Sequence, residues 1–223
     1  MREPRIDAYH VPSAPRAIVL MLHGGQEHST DDVSNRHASW WRLALMARAL
    51  RRFAKEHDLS LHLLQYRVRG WNGSQAPAPV GDARWALARV VEQHPGVPVV
   101  LVGHSMGGRT ACRVADDPTV AGVVALAPWL PEGEPNRTIS GRHLHVIHGT
   151  RDRWTSARWS RRYVERCQSI ALDATWTSLP GAGHFMLRRL NVWNSFVKDS
   201  ILAILDRPSP SPGESASTRD GRA

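Results

Sequence analysis

The sequence predicts an α/β protein, with a mostly parallel central sheet flanked by helices on both faces. Three observations predict it. The stretches 17–22, 97–102 and 120–126 are continuous apolar runs rich in Val, Ile and Leu, the pattern of strands buried on both faces. Amphipathic stretches of helical length alternate with such runs along the chain, which is how parallel strands are connected. Each run ends in a glycine- or proline-bearing turn: His23-Gly24-Gly25-Gln26, Gly103-His104-Ser105-Met106-Gly107-Gly108 and Ala127-Pro128-Trp129.

The elements follow in order. Residues around Asp7-Ala8-Tyr9-His10-Val11 suit an edge strand, closed by Pro12 and Pro15. After the run at 17–22, Ser34 or Asn35 is placed to cap a helix reaching about His57, with Trp41, Leu45, Ala49 and Phe53 on one face and arginines 42, 48, 51 and 52 on the remainder. Residues 59–66 read as a strand, and Asp82 as the cap of a helix ending near His94. The run at 97–102 leads through the serine turn into a helix over 109–115. Strands follow at 120–126, 144–147 and 175–179, with a helix over 155–169 between the last two and a closing helix over 191–206. Residues 1–206 therefore form one domain. Residues 207–223, with Pro208, Pro210 and Pro212 among serines, read as a disordered tail.

Composition narrows the function classes. At 223 residues with 42% hydrophobic content the chain has the length and apolar content of one globular domain. The first residues are polar and lack a signal peptide's apolar core, and no apolar run is long enough to cross a bilayer. Cys112 and Cys167 cannot build a disulfide framework and read as reduced thiols, so a cytoplasmic protein is expected. The formal charge of +9 is almost all arginine, spread over every segment without a helix–turn–helix, zinc or RNA-binding signature. It predicts a solvated basic surface, with no specific nucleic-acid partner. His143, His145 and His148 cluster near one strand, but no cysteine or carboxylate set completes a ligand spacing, and no dinucleotide or phosphate-loop glycine pattern is present. Neither a metal nor a cofactor is expected.

The chemistry centres on Gly103-His104-Ser105-Met106-Gly107, a serine between two glycines where a strand passes into a helix. Such a turn strains the serine backbone and projects its oxygen above the sheet, provided that the flanking residues lack side chains. The helix start aims backbone N–H groups at the same spot. A serine hydroxyl is a weak nucleophile and needs a base, itself oriented by a carboxylate. Asp152, in His148-Gly149-Thr150-Arg151-Asp152, and His184, in Gly181-Ala182-Gly183-His184-Phe185, both follow strands. In a parallel sheet those strand ends share the edge that carries Ser105.

Over about residues 17–206 the chain resembles the α/β-hydrolase family. The resemblance rests on His23-Gly24-Gly25, on the Ser105 turn, and on Asp152 and Gly183-His184 in that order. It implies Ser105 as nucleophile, His184 as general base and then acid, and Asp152 as the orienting carboxylate, with Glu132 and Glu134 as alternatives one strand earlier. It also implies an oxyanion hole from the backbone N–H of Met106 and that of Gly25, with Gln26 the near alternative to Gly25. His104, beside the serine, is expected to point away from the site.

Gln26, Trp71, Trp129 and Phe185, with Trp154 and Met186 nearby, fall at strand ends and are expected to line a partly aromatic substrate pocket. Only 128–142 is available where many relatives insert a cap, so an open site is expected. The expected partner is a small-molecule ester or thioester. Two other classes compete with it: a non-catalytic binder on the same fold, and a basic nucleic-acid-associated protein. The complete serine, aspartate and histidine set argues against the first, since binding alone needs no such set.

Overall fold

Residues apolar along their whole length must be covered on both sides. A computed structural model of the chain, which describes residues 3–34, 36–73 and 76–207, places these runs inside one seven-stranded sheet. In chain order the elements are β1 (Arg5–His10), β2 (Ala17–Leu22), α1 (Ala38–Glu56), β3 (Leu59–Gln65), α2 (Ala78–Gln93), β4 (Val99–His104), α3 (Met106–Arg113), β5 (Val120–Leu126), β6 (His143–Gly149), α4 (Ala157–Cys167), β7 (Asp173–Leu179) and α5 (Leu190–Asp206). One 3₁₀ turn, Arg137–Ile139, lies between β5 and β6.

The strand order is β1-β3-β2-β4-β5-β6-β7, with β1 antiparallel at one edge and every other pairing parallel. All residues of β2 and β4, at the centre, are buried. The first and last helices, α1 and α5, pack on one another and on the sheet. The pair α2 and α3 does the same, and α4 covers β6 and β7. Because the parallel strands share a direction, the loops after β2, β4, β6 and β7 open on one edge.

Several local expectations are corrected. The buried face of α1 is Trp40, Leu43, Ala44, Ala47, Leu50 and Ala54 with Phe53, whereas Trp41 and Leu45 are 45% and 43% exposed. Small alanines let the helix lie close to the sheet, and Trp41 instead carries the Arg48 guanidinium over its ring at 5.8 Å. The N-cap of α1 is His37, whose Nδ1 accepts the Ser34 N–H at 2.9 Å; Asn35 is outside the described residues.

Asp82 does not cap α2. The helix starts at Ala78, with Pro77 as its N-cap and Pro79 in its first turn, where a missing N–H costs nothing. Asp82 lies inside it, buried, and pairs with the Arg67 side chain at 2.5 Å and the Arg67 N–H at 2.8 Å. The expected tail from 207 lies, beyond Arg207, outside the described residues. Among the described residues no helix is long and apolar enough to cross a membrane, and no group of three or more His, Cys, Asp or Glu is placed to hold a metal ion.

Candidate active site

Ser105 sits between β4 and α3 with φ 56° and ψ −119°, a left-handed conformation that a serine adopts only under constraint. The constraint is visible in its neighbours. A side chain at Gly107 would fall on the Leu22 carbonyl, so α3 can approach β2 this closely only with glycine there. The Ser105 N–H donates to the Leu126 carbonyl at 3.0 Å, and its own carbonyl accepts from Trp129 at 3.0 Å, tying the turn to the end of β5.

His184, in the loop after β7, places Nε2 3.0 Å from Ser105 Oγ and Nδ1 2.8 Å from Asp152 Oδ2. An ionised carboxylate only accepts, so Nδ1 carries the proton and Nε2 is left to accept the serine hydroxyl. The Asp152 side chain is fully buried, and burial opposes its ionisation. Donors outweigh that cost. His148 Nε2 (3.2 Å), His184 Nδ1 and the Thr155 hydroxyl (2.9 Å) converge on Oδ2, and the Trp154 and Thr155 N–H groups donate to Oδ1 at 2.8 and 2.9 Å. The carboxyl is held well below the usual carboxylate range. Asp152 thus orders the turn entering α4 and orients His184 with the same group.

The alternative acids are elsewhere. Glu134 is buried but taken by Arg109 at 2.7 Å and Arg113 at 2.5 Å, and Glu132 is exposed. Nor does His104 point away from the site. It is buried against the His184 ring, centroids 4.9 Å apart, and its Nε2 donates to the His184 carbonyl at 2.9 Å. Burial, reinforced by the neighbouring His184, lowers its pKa to about 3 and keeps it neutral. His23, which opens the His-Gly-Gly turn, is likewise held neutral, lowered by burial to about 4. Its Nδ1 contacts the Gly24 carbonyl at 2.6 Å, and Nε2 accepts the Tyr66 N–H at 3.3 Å.

A cavity of about 370 Å³ opens over Ser105. It gathers Gly25, Gln26, Met106, Trp129, His184 and Phe185, which are the sequence's candidates. Trp71 is not among the lining residues. It is buried behind Trp129, edge to face at 5.9 Å, with the Arg109 guanidinium 4.1 Å from its centroid and 4.5 Å from that of Trp129. Trp154, 73% exposed, lies nearly parallel to the His184 ring at 6.2 Å and edge-on to Phe185 at 5.3 Å.

The Gln26 N–H donates to the Arg69 carbonyl at 2.8 Å and so is engaged. For the N–H groups of Gly25 and Met106 no backbone acceptor occurs among the described residues, Met106 being the first residue of α3. A side chain at Gly25 would strike the Arg69 carbonyl and Met106. Three residues of the site carried no distinctive sequence signal: His148 and Thr155, both on Asp152, and Arg42, which lines the cavity from α1. For His148 the one available pointer was its place in the strand four residues before the aspartate.

This fold and these residue types are those of a hydrolase. The α/β-hydrolase family signature matches residues 19–210, and the chain belongs to that family. Among curated proteins nothing matches the chain. Solved structures resemble it at low identity. An α/β serine hydrolase homologue of Coxiella burnetii is 16% identical with a TM-score of 0.65, covering 89% of this chain and 90% of that one. A lidless α/β serine hydrolase of Xanthomonas campestris is 19% identical with a TM-score of 0.63, covering 93% and 89%. Est1E of Butyrivibrio proteoclasticus, solved with ferulic acid bound, is 12% identical with a TM-score of 0.65, covering 92% and 96%.

Proposed function

We propose that the protein is a serine hydrolase that cleaves a carboxylic ester or thioester through an acyl-enzyme on Ser105. The observation that carries this reading is the continuous line of hydrogen bonds from Ser105 Oγ through His184 to a buried, ionised Asp152, opening on a cavity. His184 Nε2 takes the hydroxyl proton as Oγ attacks the acyl carbon. The carbonyl electrons move onto oxygen, and the N–H groups of Gly25 and Met106 receive that oxyanion. The bond to the leaving alcohol or thiol then breaks as His184 returns the proton to it. Water, deprotonated by the same imidazole, releases the acid and restores Ser105.

Asp152 stays ionised throughout and stabilises the imidazolium. The apolar faces of Trp129, Trp154 and Phe185 suit a hydrocarbon or aromatic group on the substrate. Between β5 and β6 the chain carries one 3₁₀ turn in place of a cap domain, which supports a small, accessible substrate. No metal or cofactor takes part in these steps.

Rapid mixing with para-nitrophenyl acetate tests the acyl-enzyme. The expected result is a burst of nitrophenolate matched by one acetyl group on Ser105 in the intact mass, absent from Ser105→Ala. Hydrolysis that persists in Ser105→Ala would overturn the mechanism.

A further inference from the structure

Arg42 is the residue of the cavity that ester cleavage leaves unexplained. It stands in the second turn of α1, three residues after Ser39, which also lines the cavity. It is 91% buried by its 9% exposure, yet among the described residues no carboxylate lies within 4.0 Å of it. One of its N–H groups donates to the Phe185 carbonyl, which leaves the rest of a five-donor fork uncommitted. Burial draws its pKa down, with no anion opposing the shift. The carboxylate that lines the same cavity, Glu27, is 68% exposed and turns to His28 at 3.8 Å. Proteins rarely bury an arginine without an anion, because desolvation of the charge is then uncompensated.

We infer that Arg42 completes its ion pair with the substrate, and that the Ser105 cavity takes an ester or thioester whose far end carries a carboxylate. The planar guanidinium matches a carboxylate through parallel N–H donors, and in a half-enclosed apolar cavity such charge-assisted bonds are stronger than in water. Ser39, three residues before Arg42 on the same helix, lines the cavity with it and offers a hydroxyl as a second donor. Because Arg42 also holds the carbonyl of Phe185, the residue after His184, a bound carboxylate is registered against the catalytic loop itself. The chain's formal charge of +9 favours the approach of such a substrate. This inference rests on the esterase reading and adds the class of substrate.

The test compares the para-nitrophenyl monoester of adipic acid, whose other end is a free carboxylate, with its uncharged methyl diester. Wild-type protein should favour the anionic ester by about tenfold or more in kcat/KM, mainly through KM, and added salt should narrow the gap. Arg42→Gln should bring the ratio of the two esters to about one, and Arg42→Lys should keep part of the preference. A wild-type ratio near one, or a ratio unchanged in Arg42→Gln, overturns the inference and leaves the esterase reading standing. Should neither ester be cleaved and Ser105 take no label, the esterase reading fails, and binding decides alone. Monomethyl adipate would then be titrated against tryptophan fluorescence of Ser105→Ala. Saturable quenching lost on adding Arg42→Gln supports the anion subsite, and its absence overturns it.

Discussion

His148 Nε2 lies 3.2 Å from Asp152 Oδ2, the same oxygen that His184 Nδ1 reaches at 2.8 Å. One buried carboxylate therefore holds two histidines, one on β6 and one in the loop after β7. His148 is itself fully buried, packed 5.8 Å from the Trp176 ring. Removing its donor leaves Asp152 less firmly oriented and easier to protonate. His148→Ala should lower kcat by about 10- to 100-fold, the range for losing a hydrogen bond to a buried charge. The Trp154, Thr155 and His184 donors remain and keep Asp152 ionised over the working pH range, so the loss reads out as lost orientation of His184 rather than as titration of the carboxylate. Urea unfolding of the same variant separates this from a general loss of stability.

The two acidic neighbourhoods predict different phenotypes. Asp152→Asn keeps the shape but withdraws the charge from His184, and kcat should fall by about 10⁴-fold. Glu134 is the shared anion of Arg109 and Arg113, so Glu134→Ala leaves two half-buried cations unpaired. Its loss should cost about 3 kcal/mol of stability, read from urea unfolding, while reactivity of Ser105 per folded molecule persists. The reverse pattern would place the acid on the loop after β5.

Burial lowers His23 and His62 to about 4 and His104 to about 3. An unfolded histidine takes its proton near pH ~6.5. Between there and pH 4 the unfolded chain therefore binds more protons than the folded one, and stability falls as pH falls. With three such rings the slope reaches about 4 kcal/mol per pH unit at most. Stability from these groups is complete above their unfolded pKa and is lost progressively on the way down to the folded values. Urea midpoints measured from about pH 7.5 to about pH 4, the window between the ordinary and the lowered values, should drop steeply over the lower half. A flat profile there would contradict the burial of these rings.

Gly25 faces Met106 and the Arg69 carbonyl with no room for a side chain. Gly25→Ala must displace one of the two proposed oxyanion donors. We expect kcat to fall by about 10²-fold or more, the cost of losing one donor, with KM little changed. Gln26→Ala keeps the backbone N–H bond to Arg69 available and should leave kcat within a few-fold.

Trp129 lines the cavity and Trp71 stands behind it, so the two should separate. Trp129→Ala should shift acyl chain-length preference toward longer esters. Trp71→Ala should act mainly on stability, by about 3 to 5 kcal/mol, because it leaves a hole beside the Arg109 guanidinium. Kinetics over an ester series together with urea unfolding read both.

The strands were legible because residues buried on both faces leave continuous apolar runs: 17–22 and 120–126 coincide with β2 and β5. The positions of Ser105, Asp152 and His184 were legible because strand ends in a parallel sheet share an edge. What depended on tertiary geometry was not. The buried face of α1 is not legible because spacing alone does not distinguish the row through Trp41 and Leu45 from the row through Leu43, Ala47 and Leu50. Asp82 looked like a cap because an aspartate near a helix start usually is one; its partner Arg67 lies fifteen residues away across the sheet edge. Trp71 looked like a pocket residue because it follows a strand, but Trp129 occupies the inner position. Arg42 looked like one more surface arginine, and only its burial beside Phe185 sets it apart.

The central claim is that Ser105 is an activated nucleophile, and labelling with a fluorophosphonate probe followed by mass mapping tests it most directly. The account predicts one label on Ser105, lost in Ser105→Ala and in His184→Ala. Folded wild-type protein that takes no label, or takes it on another residue, would contradict it.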